Sequence, residues 1–314
     1  MADEFEEWVK CRPPSEAHSL LIRATKNCPY NRCLFCGVYK GEKFAWRSLD
    51  EISQAIAGHR NSVDPASILS VFLGDSDTLL MSTADLLAVL SELYLSFPNL
   101  RSVSSYARAH TIATRRSLDE MRSLRKAGLT TIYIGMESGH DQVLHFMKKG
   151  ATQQQMIEAG RKVKEAGMQL SEYVILGLGG KDLMAQHIEG TVYALNMIDP
   201  DFIRFRTLIV AEHTPLYELK QQGLFKATSS LEKVLEQRQM IEGFQGIAST
   251  VQCNQVSNFI EVEGKLPEDK PSMLAAIDRF VHDYQSDPEV REKIARYERA
   301  MEGMSRLRHE SPLF

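Results

Sequence analysis

The sequence predicts an α/β fold, a partial (β/α)6 TIM-like barrel followed by a mostly helical C-terminal appendage. Three observations predict it: short apolar runs alternate with longer helical patterns, helix-start motifs recur between the runs, and the alternation stops near residue 215. We therefore divide the chain into an N-terminal extension (1–18), a βα core (19–215) and a C-terminal extension (216–314).

Six apolar runs have the length of strands, not helices. They are residues 19–24, 67–73, 102–106, 130–136, 169–177 and 202–210. Runs that are apolar throughout are typical of parallel strands covered on both faces. Six units are too few for a closed eight-stranded barrel, which leaves an open doubly wound sheet or a split barrel. In both, ligands bind at the carboxyl ends of the strands.

The segments between these runs carry helix-boundary motifs. Capping boxes begin at Ser48, Ser117 and Thr152, with a weaker form at Ser82. Two helices are expected to end alike, at Gly128 and Gly167, because glycine adopts the left-handed conformation that stops a helix. The recurrence indicates repeated βα units.

The pattern changes in the C-terminal third. Helices are predicted at 226–243, 270–284 and from Asp287-Pro288 to about residue 307, whereas 251–266 is expected to be irregular. We interpret this part as an appendage across the barrel. Its last, charged helix is predicted to be a solvated face.

Composition limits the function classes. The 314 residues are 43% hydrophobic and 25% charged, as in ordinary globular proteins. The net charge of −4 gives no electrostatic indication of nucleic-acid binding. No apolar run approaches a membrane span, and the acidic start does not resemble a secretory signal. These features predict a cytoplasmic protein without a membrane partner, and they give no evidence for a nucleic-acid partner.

Three of the five cysteines lie within nine residues, at Cys28, Cys33 and Cys36. An odd count in a large chain argues against a disulfide framework, and a tight cluster favours a metal or catalytic site. The spacing C-x4-C-x2-C supplies three thiolates, which suit three corners of a [4Fe–4S] cluster. The fourth iron would stay open for a ligand, whereas electron-carrying clusters normally have four protein ligands.

Other interpretations of the cysteines remain. A structural zinc site usually needs a second cysteine or histidine pair, and the next histidine, His59, lies in a predicted helix. A ferredoxin-like electron carrier is a second alternative. Cys11 and Cys253 are either additional cluster ligands or ordinary thiols.

The cysteine loop, with Phe35 before its last cysteine and a strand before the loop, resembles the radical S-adenosylmethionine (radical SAM) superfamily. The resemblance covers roughly residues 19–215, and stretches of it are similar to oxygen-independent coproporphyrinogen oxidases and Elongator-type proteins. Most of the superfamily has C-x3-C-x2-C, so this loop is one residue longer. The resemblance implies an oxygen-sensitive [4Fe–4S] cluster on the three cysteines and S-adenosylmethionine as second cofactor.

The resemblance also implies cofactor contacts at later strand ends. For the methionine part, it implies the segment Gly74, Asp75, Ser76 and Asp77 at the amino group and Lys149 at the carboxylate. It implies Ser105, Arg108 and Glu137 as further cofactor contacts. A cationic amine needs carbonyl or carboxylate acceptors, and a lysine can pair with a carboxylate. The alternatives are a helix-capping polar turn at Asp75–Asp77 and a solvated Lys149.

For the adenosine part, the resemblance implies Tyr173, Ile175, Gly177 and Leu178, with Phe35 beside the cluster. Relatives can have a carboxylate where Tyr173 stands. Glycines there also serve tight strand–helix packing. Independently, Arg204 and Arg206 share one strand face, which favours an anionic substrate, the cofactor, or pairing with carboxylates of the barrel.

The implied activity is that the reduced cluster cleaves S-adenosylmethionine to a 5′-deoxyadenosyl radical, which abstracts hydrogen from a substrate. A small-molecule substrate and a low-potential donor, flavodoxin or ferredoxin, are the expected partners. The alternative is an iron–sulfur electron-transfer or sensing protein that does not cleave the cofactor.

Overall fold

A computed structural model describes residues 12–41 and 43–306 of the chain. The described strands are β1 (Leu20–Arg23), β2 (Thr25–Lys26), β3 (Ala45–Trp46), β4 (Ser70–Gly74), β5 (Ser102–Ala107), β6 (Leu129–Glu137), β7 (Gln169–Leu176), β8 (Phe202–Thr207), β9 (Thr250–Gln252) and β10 (Glu263–Lys265). The described α-helices are α1 (Leu49–Ser62), α2 (Thr83–Ser96), α3 (Ala109–Arg115), α4 (Leu118–Lys126), α5 (Asp141–Phe146), α6 (Gln153–Glu165), α7 (Met184–Ile198), α8 (Pro215–Gln221), α9 (Ser230–Gly243), α10 (Lys270–Ser286) and α11 (Pro288–Arg306).

The main sheet has the strand order β1-β4-β5-β6-β7-β8-β9-β10. Every neighbouring pair from β1 to β9 is parallel, and β10 closes the order antiparallel to β9. The predicted α/β class, with helices following parallel strands, is confirmed. The six predicted strands correspond to β1 and β4–β8.

The segment 251–266 is irregular over most of its length, as expected, but it also contributes most of β9 and all of β10, which were not predicted. Each of these strands is three residues long, which is too short for alternation or an apolar run to mark it in the sequence. Their order is decided by pairing with β8, where Ile203 lies opposite Val251. The proposed boundary at residue 215 stays a prediction.

The helix-start motifs work as predicted. The side chains of Ser48, Ser117 and Thr152 each accept the backbone N–H three residues ahead in complete capping boxes. Ser82 caps α2 in the weaker form. Such caps satisfy N–H groups that the helix itself leaves unpaired.

The two faces of the sheet bury different side chains. Outward-facing residues such as Ile132 and Val174 join the large apolar core shared with the helices. On the opposite face, Phe72, Tyr133 and Tyr173 form a separate aromatic cluster in the interior. The Tyr133 hydroxyl donates to Glu16 Oε1 at 2.8 Å, so the N-terminal segment contacts the interior cluster.

Within the residues that the structure describes, no helix combines the length and the apolar character needed to cross a membrane.

Candidate functional site

The cysteine loop lies between β2 and β3, and β2 follows β1 after one residue. Thr25 pairs with Trp46 and Lys26 with Ala45, so a short antiparallel ladder joins the two ends of the loop. Asn27 begins the loop with φ 67° and donates from its side chain to the Lys43 carbonyl at 2.6 Å. Left-handed backbone is most acceptable for asparagine among non-glycine residues.

Asp75 fixes the start of this loop to β4. Its carboxylate takes a bidentate contact from Arg23, with Nε–Oδ1 at 2.9 Å and Nη2–Oδ2 at 2.6 Å. The Asn27 N–H also donates to Asp75 Oδ2 at 2.8 Å, and Ser76 Oγ donates to the Asn27 carbonyl at 3.0 Å. Both members of the ion pair are buried, so the Asp75 carboxylate holds the end of β4 and the start of the cysteine loop together.

The middle of the loop is held from both sides. Asn31 N–H donates to Cys28 Sγ at 3.4 Å, and the Asn31 side chain donates to the Tyr39 carbonyl at 2.6 Å. The Leu34 N–H donates to the Met147 carbonyl, and the Leu34 carbonyl accepts from Leu216. The cysteine loop is therefore tied to the segment after α5 and to α8.

The three thiols are partly buried and influence one another electrostatically. Burial raises the pKa of Cys33, with Lys149 opposing the rise, and burial raises the pKa of Cys36 to about 12. Among the described residues, no three Cys, His, Asp or Glu side chains converge as the ligands of one metal ion would. Separate thiols on one loop fit a four-iron cube, because each iron takes its own thiolate.

A partly buried ion pair lies beside Cys33. Lys149 Nζ is 3.0 Å from Glu137 Oε1, and the two side chains are only 16% and 14% exposed. Burial lowers the pKa of Lys149, but Glu137 and Cys33 outweigh it and raise the pKa overall. A Cβ at Gly135 would lie 2.1 Å from Glu137 Oε1, so the glycine makes room for the pair.

Arg108 contacts the same region from the end of β5. Its guanidinium lies 4.3 Å from the centre of the Tyr30 ring and donates to the carbonyls of Lys149 and Gly150 at 3.4 and 3.3 Å. Tyr30, inside the cysteine loop, is absent from the sequence-based predictions, although its place between Cys28 and Cys33 marks it in the sequence.

Asp77 and Ser105 bind other parts of the protein. Asp77 accepts the Thr111 hydroxyl at 2.6 Å and the Arg108 N–H at 3.2 Å, so it caps α3 and not the helix that follows it in sequence. Ser105 Oγ donates to the Leu73 carbonyl at 3.0 Å. Both side chains are fully buried. Their contact with a cofactor stays a prediction.

Apolar residues predicted for the adenosine part lie together. Phe35, Ile175 and Leu178 belong to one cluster with the buried Leu34. Gly74 is the last residue of β4. Gly177 directly follows β7 and has φ 84°. Tyr173 lies instead in the interior aromatic cluster, with Arg206 at 4.5 Å from its ring centre.

Arg204, the other arginine of β8, also faces this interior. Arg204 Nε donates to Ser171 Oγ at 2.9 Å, and its guanidinium lies 5.9 Å from the Tyr133 ring centre. Among the described residues, Arg204 thus contacts a hydroxyl and aromatic rings and makes no ion pair with a carboxylate of the barrel.

A buried polar network behind β7 was missed in the sequence. His187 Nε2 lies 3.1 Å from the Ile175 carbonyl and 3.2 Å from Glu236 Oε1, while its Nδ1 is 2.8 Å from Ser138 Oγ. Glu236 Oε1 also accepts the Gly177 N–H at 2.8 Å. No motif marks His187 or Glu236, because they lie on different helices 49 residues apart.

Cys253 is not part of the cysteine loop. It is 1% exposed in the large apolar core, where burial raises its pKa. Its N–H donates to the Val262 carbonyl at 2.9 Å. Cys11 lies outside the described residues.

Comparison with known families decides the class. Residues 22–191, more than half of the chain, match the family model of the radical SAM superfamily. This chain belongs to the radical SAM superfamily. Members of this superfamily bind a [4Fe–4S] cluster and S-adenosylmethionine, and the loop of Cys28, Cys33 and Cys36 fits that cluster.

Curated relatives of this radical SAM chain match it over part of their length. It is 27% identical over 108 residues to a tRNA uridine(34) acetyltransferase of Methanocaldococcus jannaschii, covering 34% of this chain and 20% of the relative. It is 24% identical over 201 residues to an uncharacterized methyltransferase of Pyrococcus horikoshii, covering 63% and 41%. The chain thus spans less than half the length of either relative.

Solved structures support the fold. The coproporphyrinogen III oxidase of Escherichia coli, a radical SAM enzyme, superposes with a TM-score of 0.55 at 16% identity, covering 71% of this chain and 51% of that one. The superposition confirms the predicted fold.

Proposed function

We propose that this chain is an enzyme that reductively cleaves S-adenosylmethionine and removes a hydrogen atom from an organic substrate. The observation that carries the proposal is one loop of three thiols at the carboxyl ends of parallel strands, beside the partly buried Glu137–Lys149 pair. When bound and reduced, the cluster and its cofactor supply homolytic S–C bond cleavage and hydrogen abstraction.

The residues of the chain would hold and orient the cofactor. Cys28, Cys33 and Cys36 would ligate three irons and leave the fourth to the amino and carboxylate groups of methionine. Lys149 lies near Cys33 and 6.0 Å from the Phe35 ring centre, which supports a role in pairing with the methionine carboxylate. A lysine there neutralises charge without a fixed bidentate geometry.

The apolar cluster of Phe35, Ile175 and Leu178 would cover the adenine. Flat heteroaromatic rings are bound well by apolar side chains next to free backbone polar groups. Such walls also exclude water from the reaction. An external low-potential donor such as flavodoxin or ferredoxin would supply the electron, and the exposed Arg32 shows that the cysteine loop reaches the protein surface.

The test is anaerobic reconstitution with iron and sulfide, reduction with dithionite, and quantification of 5′-deoxyadenosine by mass spectrometry. We expect product from the wild type and from Cys253→Ala, the matched control thiol in the core, and none from Cys33→Ala. An intact cluster that yields no 5′-deoxyadenosine would favour the electron-transfer or sensing alternative. A colourless protein with one tightly bound zinc would favour the zinc alternative.

A further inference from the structure

A cavity of about 300 Å³ lies at the carboxyl end of β8, against α8, α9 and α11. Its size is at the lower end of the range for small-molecule sites. Its charged lining residues are Lys181, Lys220, Lys233, Glu298 and Glu302, and its hydroxyl-bearing lining residues are Thr207, Thr228, Ser229 and Ser257. Three ammonium groups against two carboxylates give the lining a net positive charge.

Lys233 is the most buried of the three lysines, at 6% exposed. Its Nζ lies 3.8 Å from Glu298 Oε1, which is too far for a hydrogen bond. The other oxygen of Glu298 already accepts the Ser230 hydroxyl at 2.9 Å. Among the described residues, the carboxylate partner of this largely buried ammonium lies beyond hydrogen-bond distance, so a closer anionic acceptor would stabilise it.

The other two lysines of the cavity are more exposed, with 36% of the Lys220 side chain and 52% of the Lys181 side chain accessible to solvent. Lys220 Nζ is 3.8 Å from Glu302, and Lys181 Nζ is 3.6 Å from Glu232, again beyond hydrogen-bond distance. Thr228 is 4% exposed, and its Oγ1 makes no hydrogen bond to any described residue. The cavity therefore presents its lysine ammonium groups to a ligand that accepts hydrogen bonds, and the unpaired Thr228 hydroxyl lies buried in its wall.

The cavity also adjoins the end of β7. A Cβ placed on Gly177 would lie 2.9 Å from Thr228 Oγ1 and 3.0 Å from Lys233 Cε. The donors are thus directly behind the glycine that we assign to the adenosine part of the cofactor.

We propose that this cavity binds an anionic oxygen ligand, a carboxylate or phosphate, and that Lys233 and Thr228 are its main donors. The assignment of this anion to the substrate rests on the proposed function, whereas the anion site itself does not. Lys233 supplies the charge, and Thr228 supplies a hydroxyl donor without a charge, as anion sites commonly combine them. Glu298 and Glu302 compete with the anion for the lysines.

The test is titration of the full-length protein with inorganic phosphate and, separately, with succinate, by calorimetry. Lys233→Met is expected to weaken binding of the preferred anion at least about tenfold, and the near-isosteric Thr228→Val several-fold. Glu302→Gln is expected to tighten it. Lys226→Met is the matched control, because Lys226 does not line the cavity. Its side chain is exposed, and its Nζ lies 3.2 Å from Asp182 Oδ1.

Saturable binding of either anion that Lys233→Met and Thr228→Val weaken supports the proposal, and the preferred anion identifies the ligand chemistry. The proposal is overturned if neither anion binds saturably at millimolar concentration, or if both variants leave the binding unchanged. The cavity would then hold only water. Melting temperatures of the variants separate loss of binding from loss of folding, and Thr228→Val keeps the test valid if Lys233→Met does not fold.

The same reconstituted samples are assayed for 5′-deoxyadenosine. Lysine-dependent anion binding without product retains the anion site and rejects the proposed enzyme. Product formation without anion binding retains the enzyme and rejects the site.

Discussion

Glu236 on α9 accepts the backbone N–H of Gly177 at 2.8 Å, at the end of β7. The carboxylate is fully buried and also lies 3.2 Å from His187 Nε2. A helix from the C-terminal third thereby fixes the backbone that we assign to the cofactor's adenosine part. The appendage is thus part of the site's support and does not merely cover the barrel.

Replacing Glu236 by alanine is expected to lower the free energy of unfolding by roughly 3 kcal/mol, because Gly177 and His187 lose a buried acceptor. Affinity for S-adenosylmethionine should fall as well. Denaturant unfolding and equilibrium dialysis measure the two effects. The control is Glu242→Ala on the same helix, an exposed partner of Arg238, which should change stability by less than about 1 kcal/mol. Equal effects of the two variants would contradict a role for the buried network.

Lys149→Met is expected to weaken S-adenosylmethionine binding roughly tenfold to a hundredfold, the value of one hydrogen bond to a charged group. The variant keeps the length of the side chain and removes the charge. Dialysis against labelled cofactor measures the change in the cluster-loaded protein. Lys148→Met is the matched control, since Lys148 is exposed. Wild-type affinity in Lys149→Met would remove this residue from the cofactor site.

Arg23→Met is expected to destabilise the protein by about 3–5 kcal/mol, because it leaves the buried Asp75 carboxylate without its charge partner. The cysteine loop should loosen too, since Asp75 also holds Asn27. Unfolding in urea and protease sensitivity of the loop provide the readouts. Arg122→Met, at an exposed ion pair with Asp119, should have almost no effect. A small loss in Arg23→Met would show that Asp75 finds another partner or is neutral.

The buried carboxyl group of Asp77 is expected to make the stability of the protein depend on pH. Burial raises its pKa to about 6, against the opposing effects of Thr111 and Arg108. A raised folded-state pKa means that the stabilisation by the neutral acid is complete below about pH 4 and is lost as pH rises through about 6. Asp77→Asn removes this titration, so its free energy of unfolding should depend less on pH, by the effect of one bound proton. Above pH 6 the variant should be as stable as the wild type or more stable, by an amount on the order of 2 kcal/mol.

Urea unfolding of both proteins between pH 4.5 and 7.5 measures the difference in slope. The asparagine retains an acceptor for the Arg108 N–H and can donate to the Thr111 hydroxyl. Parallel pH profiles of the two proteins would show that Asp77 does not titrate in this range.

The strand ends show how far local sequence reaches. The Asp75–Asp77 turn was predicted as a candidate cofactor contact because the segment resembles the superfamily's methionine-binding segment and a carboxylate can accept from a cationic amine. Local sequence does not show that Asp75 pairs with Arg23, 52 residues away, or that Asp77 caps α3 instead of the following helix. Both choices depend on which strands become neighbours.

The sequence by itself determined the βα order, the capped helix starts and the three-thiol loop, because each depends on residues close together in the chain. Only the tertiary structure decided that Glu236 supports Gly177, that β9 and β10 extend the sheet, and that Lys233 and Thr228 share a cavity. These relationships join residues from separate elements. They are fixed by burial and by the need of buried polar groups for partners, which no local pattern records.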